Sequence, residues 1–272
     1  MSTITARAGG ASDAVEVDVA FGIQRVETGT GDAFGCAVAI GKVFCWDRIR
    51  VQEIAEDFAR DISLAESKGC FVAEDGKVFC FEKGVWTLQE QSSLADIRTI
   101  SVGEGHACAL DMDGKAYCWG DNSSGQLGRS GASSVTPVEV NSNAKFVSIT
   151  VGDRHTCAAD EGGDAWCWGA NDRSQLGGFP GSRTATPFRV EGGYSFLTLS
   201  AGDDFTCGVH PSGPSLCWGA GDLGQLGNGM MVDRDVPTMV SGPVSLNMIR
   251  ARANQACGLD ASGLVHCWGN QQ

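Results

Sequence analysis

The sequence predicts an all-β fold: a β-propeller of six four-stranded blades closed by an N-terminal strand, with a seven-bladed or an open, incomplete ring as the alternative. Three observations predict it. A cysteine-bracketed hairpin recurs six times, a small residue faces an aromatic one in every copy, and the two chain ends read as complementary parts of one repeat.

The hairpin is clearest at 108–120, CALDMDGKAYCWG, and returns from 157, 207 and 257, with weaker copies from 36 and 70. First cysteines are spaced by 34, 38, 49, 50 and 50 residues, so the unit is a repeat. Each unit opens on an apolar-alternating segment such as KFVSITVG (145–152). A polar corner, a second strand, a turn, a third strand, a variable loop and a last strand such as TPFRV (186–190) follow. The lengths and the β-branched and aromatic content suit four short strands, and no segment has a sustained helical period.

The turn fixes the register. A three-residue loop, Met112-Asp113-Gly114, puts glycine at the left-handed position of a bulged hairpin, so Cys108 faces Cys118. The same register pairs Cys36 with Cys45, Cys70 with Cys80, Cys157 with Cys167, Cys207 with Cys217 and Cys257 with Cys267, using all twelve cysteines. Direct cross-strand neighbours are within reach of a disulfide, worth about 3 kcal/mol for so short a loop. Free, buried cysteines acting as small hydrophobes are the alternative. Zinc is a poorer fit, because no C-x₂-C knuckle exists. The register also opposes Gly35 to Trp46, Gly69 to Phe81, Ala107 to Trp119, Thr156 to Trp168, Thr206 to Trp218 and Ala256 to Trp268. A small partner leaves room for a wide ring that seats one sheet on the next.

The chain stops just after the third strand of the sixth unit. Near its start, DAVEVDV aligns with the fourth strand VTPVEVN, so residues around 14–18 are expected to complete the last blade. Residues 1–13 are then a flexible N-terminal segment and 14–272 a single domain.

A net charge of −13 repels phosphate backbones and anionic membranes, which argues against nucleic acid as a partner. No apolar run approaches the length that spans a bilayer, and the first nineteen residues lack a signal-peptide core. There is no nucleophile elbow, phosphate loop or dinucleotide fingerprint, so no catalytic residue, metal site or cofactor is expected.

Residues 102–128, VGEGHACALDMDGKAYCWGDNSSGQLG, and 151–177, VGDRHTCAADEGGDAWCWGANDRSQLG, resemble regulator of chromosome condensation repeats. The resemblance rests on G-x-x-H-T/A at the second strand, W-G after the third and N-x-x-G/S-Q-L-G beyond it. It is strong over 95–270 and weak over 14–94. Members are typically seven-bladed, so six blades depart from the pattern. The added cysteine pair is similar to crinkly-type plant receptor ectodomains and secreted bacterial repeat proteins. The family implies no single function: its members include a nucleotide exchange factor for the Ran GTPase, a photoreceptor and an enzyme inhibitor. The photoreceptor's tryptophan is missing from Gly152-Asp153-Arg154-His155-Thr156.

The candidate binding surface follows from strand order. In a four-stranded meander the first-to-second and third-to-fourth connections share one end. The corner before each second strand carries Asp32, Glu66, Glu104, Asp153 and Asp203, and the sixth has Ala253. Long third-to-fourth loops at 120–137, 169–187 and 219–237 add Phe179, Met230 and Met231. The acids read either as solvated corners or as a landing surface for a protein with a basic patch. The leading expectation is a monomeric, non-catalytic protein-binding propeller, extracellular or at the cell surface. The alternative is a cytoplasmic or nuclear regulator, with reduced cysteines, that promotes guanine-nucleotide exchange on a small GTPase. Gln126-Leu127, Gln175-Leu176 and Gln225-Leu226 read as loop anchors, and His106 and His155, in the position of Phe34 and Phe205, as core.

Overall fold

A computed structural model describes residues 2–7, 14–19, 23–28, 34–39, 42–47, 51–55, 59–242 and 245–270. Every regular element among them is a strand. Met1–Glu104 and Gly105–Gln272 are two compact units.

In the first unit, β1 (Ser2–Arg7) pairs with β2 (Ala14–Val19). One four-stranded sheet follows from β3 (Ile23–Thr28), β4 (Gly35–Ala39), β5 (Lys42–Trp46) and β6 (Val51–Ala55). A second comprises β7 (Ala59–Leu64), β8 (Lys68–Ala73), β9 (Val78–Glu82) and the two-residue β10 (Gln89–Glu90). The third sheet runs through β11 (Ile97–Val102), β12 (His106–Asp111), β13 (Ala116–Gly120) and β14 (Ser134–Glu139). The fourth is β15 (Phe146–Val151), β16 (His155–Asp160), β17 (Ala165–Ala170) and β18 (Arg183–Arg189). The fifth is β19 (Thr198–Ala201), β20 (Phe205–Val209), β21 (Leu216–Gly219) and β22 (Arg234–Met239). The sixth has three strands, β23 (Leu246–Arg252), β24 (Gln255–Asp260) and β25 (Val265–Gly269). All pairings with a known register are antiparallel, and the six sheets are those of a propeller of the predicted repeat.

The N-terminal closure predicted for the last blade is corrected here. Ala14–Val19 is a strand, but it is hydrogen-bonded to Ser2–Arg7, and β25 has no fourth strand among the described residues. Ser2–Arg7 lies only six residues upstream, so the local hairpin closes a far shorter loop than a return from the opposite end of the chain.

The hairpin register is as predicted. Cys36, Cys70, Cys108, Cys157, Cys207 and Cys257 stand directly opposite Cys45, Cys80, Cys118, Cys167, Cys217 and Cys267. Each pair is a disulfide with Cα atoms 4.0–4.1 Å apart. Gly114 has φ 82°, the left-handed geometry that the turn demands. The acid that opens the turn closes it: Asp111 Oδ1 accepts from the Asp113 and Lys115 amides, and Asp160 and Asp260 do the same in their hairpins. Acids at this end of the sheets are therefore turn supports.

Each small residue faces its ring in all six copies. Within Gly105–Gln272 the rings seat one sheet on the preceding one. Trp168 packs with Leu110, Leu127 and Phe146, Trp218 with Leu176 and Phe196, and Trp268 with Phe205, Leu226 and Leu246. The indole N–H groups donate to the carbonyls of Gln126, Gln175 and Gln225, at 2.9, 3.0 and 2.9 Å. A buried indole nitrogen needs such an acceptor, and each sheet finds it at the loop base of its neighbour.

Candidate protein-binding face

The loop bases are built by the three Gln-Leu pairs. Leu127, Leu176 and Leu226 are fully buried. The glutamine side chain folds back on its own loop: Gln126 Oε1 accepts from Ser124, Gln175 Oε1 from Arg173 and Gln225 Oε1 from Leu223. The asparagines of the first two loops complete the frame. Asn122 Nδ2 donates to the Arg129 and Gly131 carbonyls while its Oδ1 accepts from Leu127, and Asn171 repeats this with Phe179, Gly181 and Leu176. In the third loop Gly221 takes the asparagine's place, and its amide donates to Asp233 instead. These loops are held in place before any partner arrives.

The corners of Gly105–Gln272 are stitched to one another through backbone. The Asp153 amide donates to the Asp203 carbonyl at 3.0 Å, and the Asp203 amide to the Ala253 carbonyl at 2.9 Å. The glycine before each acid is needed for this approach: a Cβ on Gly152 or Gly202 would lie 2.6 Å from the next corner's carbonyl oxygen. Carboxylates on successive repeats are thereby brought close. Burial first, then Asp153 and Asp204, raise the pKa of Asp203, with Arg252 opposing. Burial also raises Asp204, against Arg154, and Gln175 Nε2 donates to its Oδ1 at 3.0 Å.

Part of this charge is neutralised internally. Arg154 pairs with Asp172 at 2.7 Å. Arg173 grips Asp233 with Nε and Nη2 at 2.8 and 2.9 Å and meets Asp222 at 2.8 Å, which ties the fourth sheet's loop to the fifth's. A forked guanidinium suits this two-point grip. Asp153 is itself 3.8 Å from the Arg154 guanidinium, and Asp203 and Asp204, both raised by burial, stand with it at these corners.

The predicted residues take distinct places. Met230 and Met231 are exposed, Met231 at 73%, and Met230 Sδ lies 2.6 Å from the Arg234 guanidinium. Phe179 is half-buried, edge-on to Phe188 at 5.1 Å, and is largely a loop-packing residue. Within Met1–Glu104, the Glu104 carboxylate accepts from the Ser67 hydroxyl at 2.7 Å and from the Ser67 and Glu66 amides. Burial works to raise its pKa, but these bonds and Lys68 hold it below the usual range. Glu104 thus fastens the preceding corner, while Glu66 is exposed. Asp32 lies outside the described residues. Asp204, Arg154 and Arg173 were missed by the sequence reading; the doubled acid in AGDDFTC (201–207) was the available signal for the first. Among the described residues, no cluster of His, Cys, Asp or Glu could hold a metal ion, and no helix is long and apolar enough to cross a membrane.

Three stretches, 113–159, 162–209 and 213–258, match the regulator of chromosome condensation (RCC1) repeat and together cover just over half of the chain. A second description of the same repeat matches 97–126 and 146–175. None of the curated proteins matches the sequence. Among solved structures, Prp20p of Saccharomyces cerevisiae, described with its binding to Gsp1p and histones, is 19% identical with a TM-score of 0.74, over 89% of this chain and 68% of its own. Human WBSCR16 is 14% identical with a TM-score of 0.76, covering 92% and 73%. The ectodomain of the receptor kinase CR4 of Physcomitrella patens is 22% identical with a TM-score of 0.61, covering 88% and 60%. At these identities the likeness is one of fold.

The extracellular or cell-surface location expected above is corrected: the fold is shared with yeast Prp20p, which is described with its binding to Gsp1p and histones and as bound to Kap60. The matched repeats and the six stapled sheets agree with one another: the chain belongs to the regulator of chromosome condensation (RCC1) repeat family, and its sheets are those of a propeller.

Proposed function

We propose that the chain is an intracellular regulator that binds a small GTPase and promotes release of its guanine nucleotide. One observation carries the reading: the fold is shared over 89% of this chain with Prp20p, described with its binding to Gsp1p. The preformed loop face of Gly105–Gln272 supports it, because a scaffold that displaces a nucleotide needs a rigid surface and no catalytic group of its own. The test uses a purified Ran-type GTPase loaded with a fluorescent GDP analogue. Adding the protein should speed nucleotide release, and the Asp203→Asn/Asp204→Asn variant should lose much of that effect. No acceleration at saturating protein would rule the reading out.

The corner acids favour a second reading, capture of a basic protein patch without exchange. Asp153, Asp203 and Asp204 offer charge for steering, and the exposed Met230 and Met231 of the fifth sheet's long loop offer apolar contact for retention. On this reading a pull-down at low salt retains a partner that the triple Asp→Asn variant releases. Retention should weaken in high salt, where the Debye length shrinks to roughly 3 Å at 1 M. Because Asp203 and Asp204 titrate above ordinary carboxylates, retention should also begin to fall earlier on acidification.

A further inference from the structure

The three long loops share the run Q-L-G, but the residue after it differs: Arg129, Gly178 and Asn228. Only the third loop carries an asparagine there, and Gly229 follows it. Asn228 alone among the asparagines of the chain precedes a glycine. Its side chain turns back on its own loop. Asn228 Oδ1 accepts from the Met230 amide at 3.0 Å, an Asx turn that lays the side-chain amide along the 228–229 peptide. Asn228 Nδ2 is buried and has no hydrogen-bond partner among the described residues, while Gly229 is exposed.

The framing asparagines of the first two loops are held the opposite way. Asn122 and Asn171 each donate from Nδ2 to two carbonyls, and their Oδ1 accepts from Leu127 or Leu176, well along the loop. The residues after them, Ser123 and Asp172, carry side chains.

We propose that Asn228–Gly229 is a self-modification site, at which the native loop converts its own asparagine to aspartate and isoaspartate through a cyclic imide. The Gly229 nitrogen, its proton taken by hydroxide or water, attacks Asn228 Cγ. The new N–Cγ bond closes a five-membered ring, the Cγ–Nδ2 bond breaks, and Nδ2 takes a proton and leaves as ammonia. Water then opens the imide. Breaking the new bond gives aspartate. Breaking the bond from the Gly229 nitrogen to the Asn228 backbone carbonyl gives isoaspartate, whose main chain runs through Cγ. The net change is hydrolysis of one amide to a carboxylate and ammonium, with no oxidant or reductant. Four features of the loop favour the attack. Glycine leaves the attacking nitrogen unhindered. The Asx turn presents Cγ to it. The Met230 N–H, already on Oδ1, stabilises the negative charge that gathers there, as an oxyanion donor does. The leaving nitrogen has no bond to give up.

The product alters the loop in two ways. A carboxylate replaces a neutral amide, and isoaspartate adds an atom to the main chain before Gly229. The exposed Met230 and Met231, directly downstream, move with it.

The test incubates the native protein in mildly alkaline heavy-oxygen water. Digestion in acid, mass analysis of each asparagine peptide and chromatographic separation of aspartate from isoaspartate follow. Heavy oxygen should enter residue 228 first, faster than 122 or 171 by roughly tenfold or more, because those amides must first break two bonds to carbonyls. Both products should appear, and the rate should rise with pH. The Asn228→Gln variant should leave its peptide unlabelled over the same period, because the larger imide ring closes far more slowly. A urea-unfolded sample is the positive control. Asn228 that stays intact in the native protein while the unfolded sample converts would overturn the proposal. So would equal labelling at Asn122 or Asn171, or label in the glutamine variant.

Discussion

Replacing Trp218 with alanine is expected to cost about 3–5 kcal/mol, the range for deleting a large buried aromatic. Trp218 is fully buried between the fourth and fifth sheets, among Leu176, Leu199, Phe196 and the Cys157–Cys167 bridge. Thr206 faces it across the hairpin and is too small to fill the void. The indole N–H also holds the Gln175 carbonyl. Gln175 in turn supports Arg173 and Asp204 on the loop face, so the effect should reach the binding surface as well as the core. Urea unfolding of Trp218→Ala should show a midpoint well below that of the parent protein, and Trp218→Phe should fall between them. A loss under about 1 kcal/mol, the scale of a surface substitution, would mean that the ring does not seat the sheets.

The second large effect is a loss of stability on mild acidification, traceable to His155. The ring is fully buried, its Nε2 is 2.9 Å from Thr206 Oγ1, and burial pushes its pKa down to about 4. The backbone of Asp203 pulls the value up slightly and Arg154 lowers it further. In the unfolded chain a histidine titrates near 6.5. Between those values the unfolded state takes up a proton that the folded state refuses. The contribution is thus fully present above about pH 6.5 and is lost progressively as pH falls towards 4, by roughly 3 kcal/mol in total. Phe205 fills the equivalent position in the next repeat, which makes His155→Phe the natural control. The variant should lose less stability than the parent between pH 6.5 and 4. Identical slopes would show that His155 protonates within the fold.

The repeat was legible because it is local. Gly114 at a left-handed position and two facing cysteines fix a register within eleven residues, and the opposed small and aromatic residues report the same register independently. What joins the repeats was less legible. The Trp indoles bond to backbone carbonyls some forty residues away, and a carbonyl leaves no mark in a sequence. The acidic corners could be aligned but not ranked. Glu104 proves to be a fastener for Glu66 and Ser67, whereas Asp203 becomes a buried carboxylate crowded by Asp153 of the preceding repeat and by Asp204 next to it. Closure by Ala14–Val19 failed because a strand pattern states what a segment can pair with, and Ser2–Arg7 was the nearer partner. Location failed for a related reason: paired cysteines describe a hairpin, and the compartment was inferred from them at one remove.

The central claim is that each repeat is one sheet, closed on itself by sulfur, and that loops and corners are positioned by stacking such sheets. Disulfide mapping of the unreduced protein, by digestion under conditions that block exchange, tests it most directly. Six linked peptides are predicted, joining Cys36 to Cys45, Cys70 to Cys80, Cys108 to Cys118, Cys157 to Cys167, Cys207 to Cys217 and Cys257 to Cys267. A bridge that joins cysteines of two different repeats would contradict the register, and with it the placement of every corner and loop on the binding face.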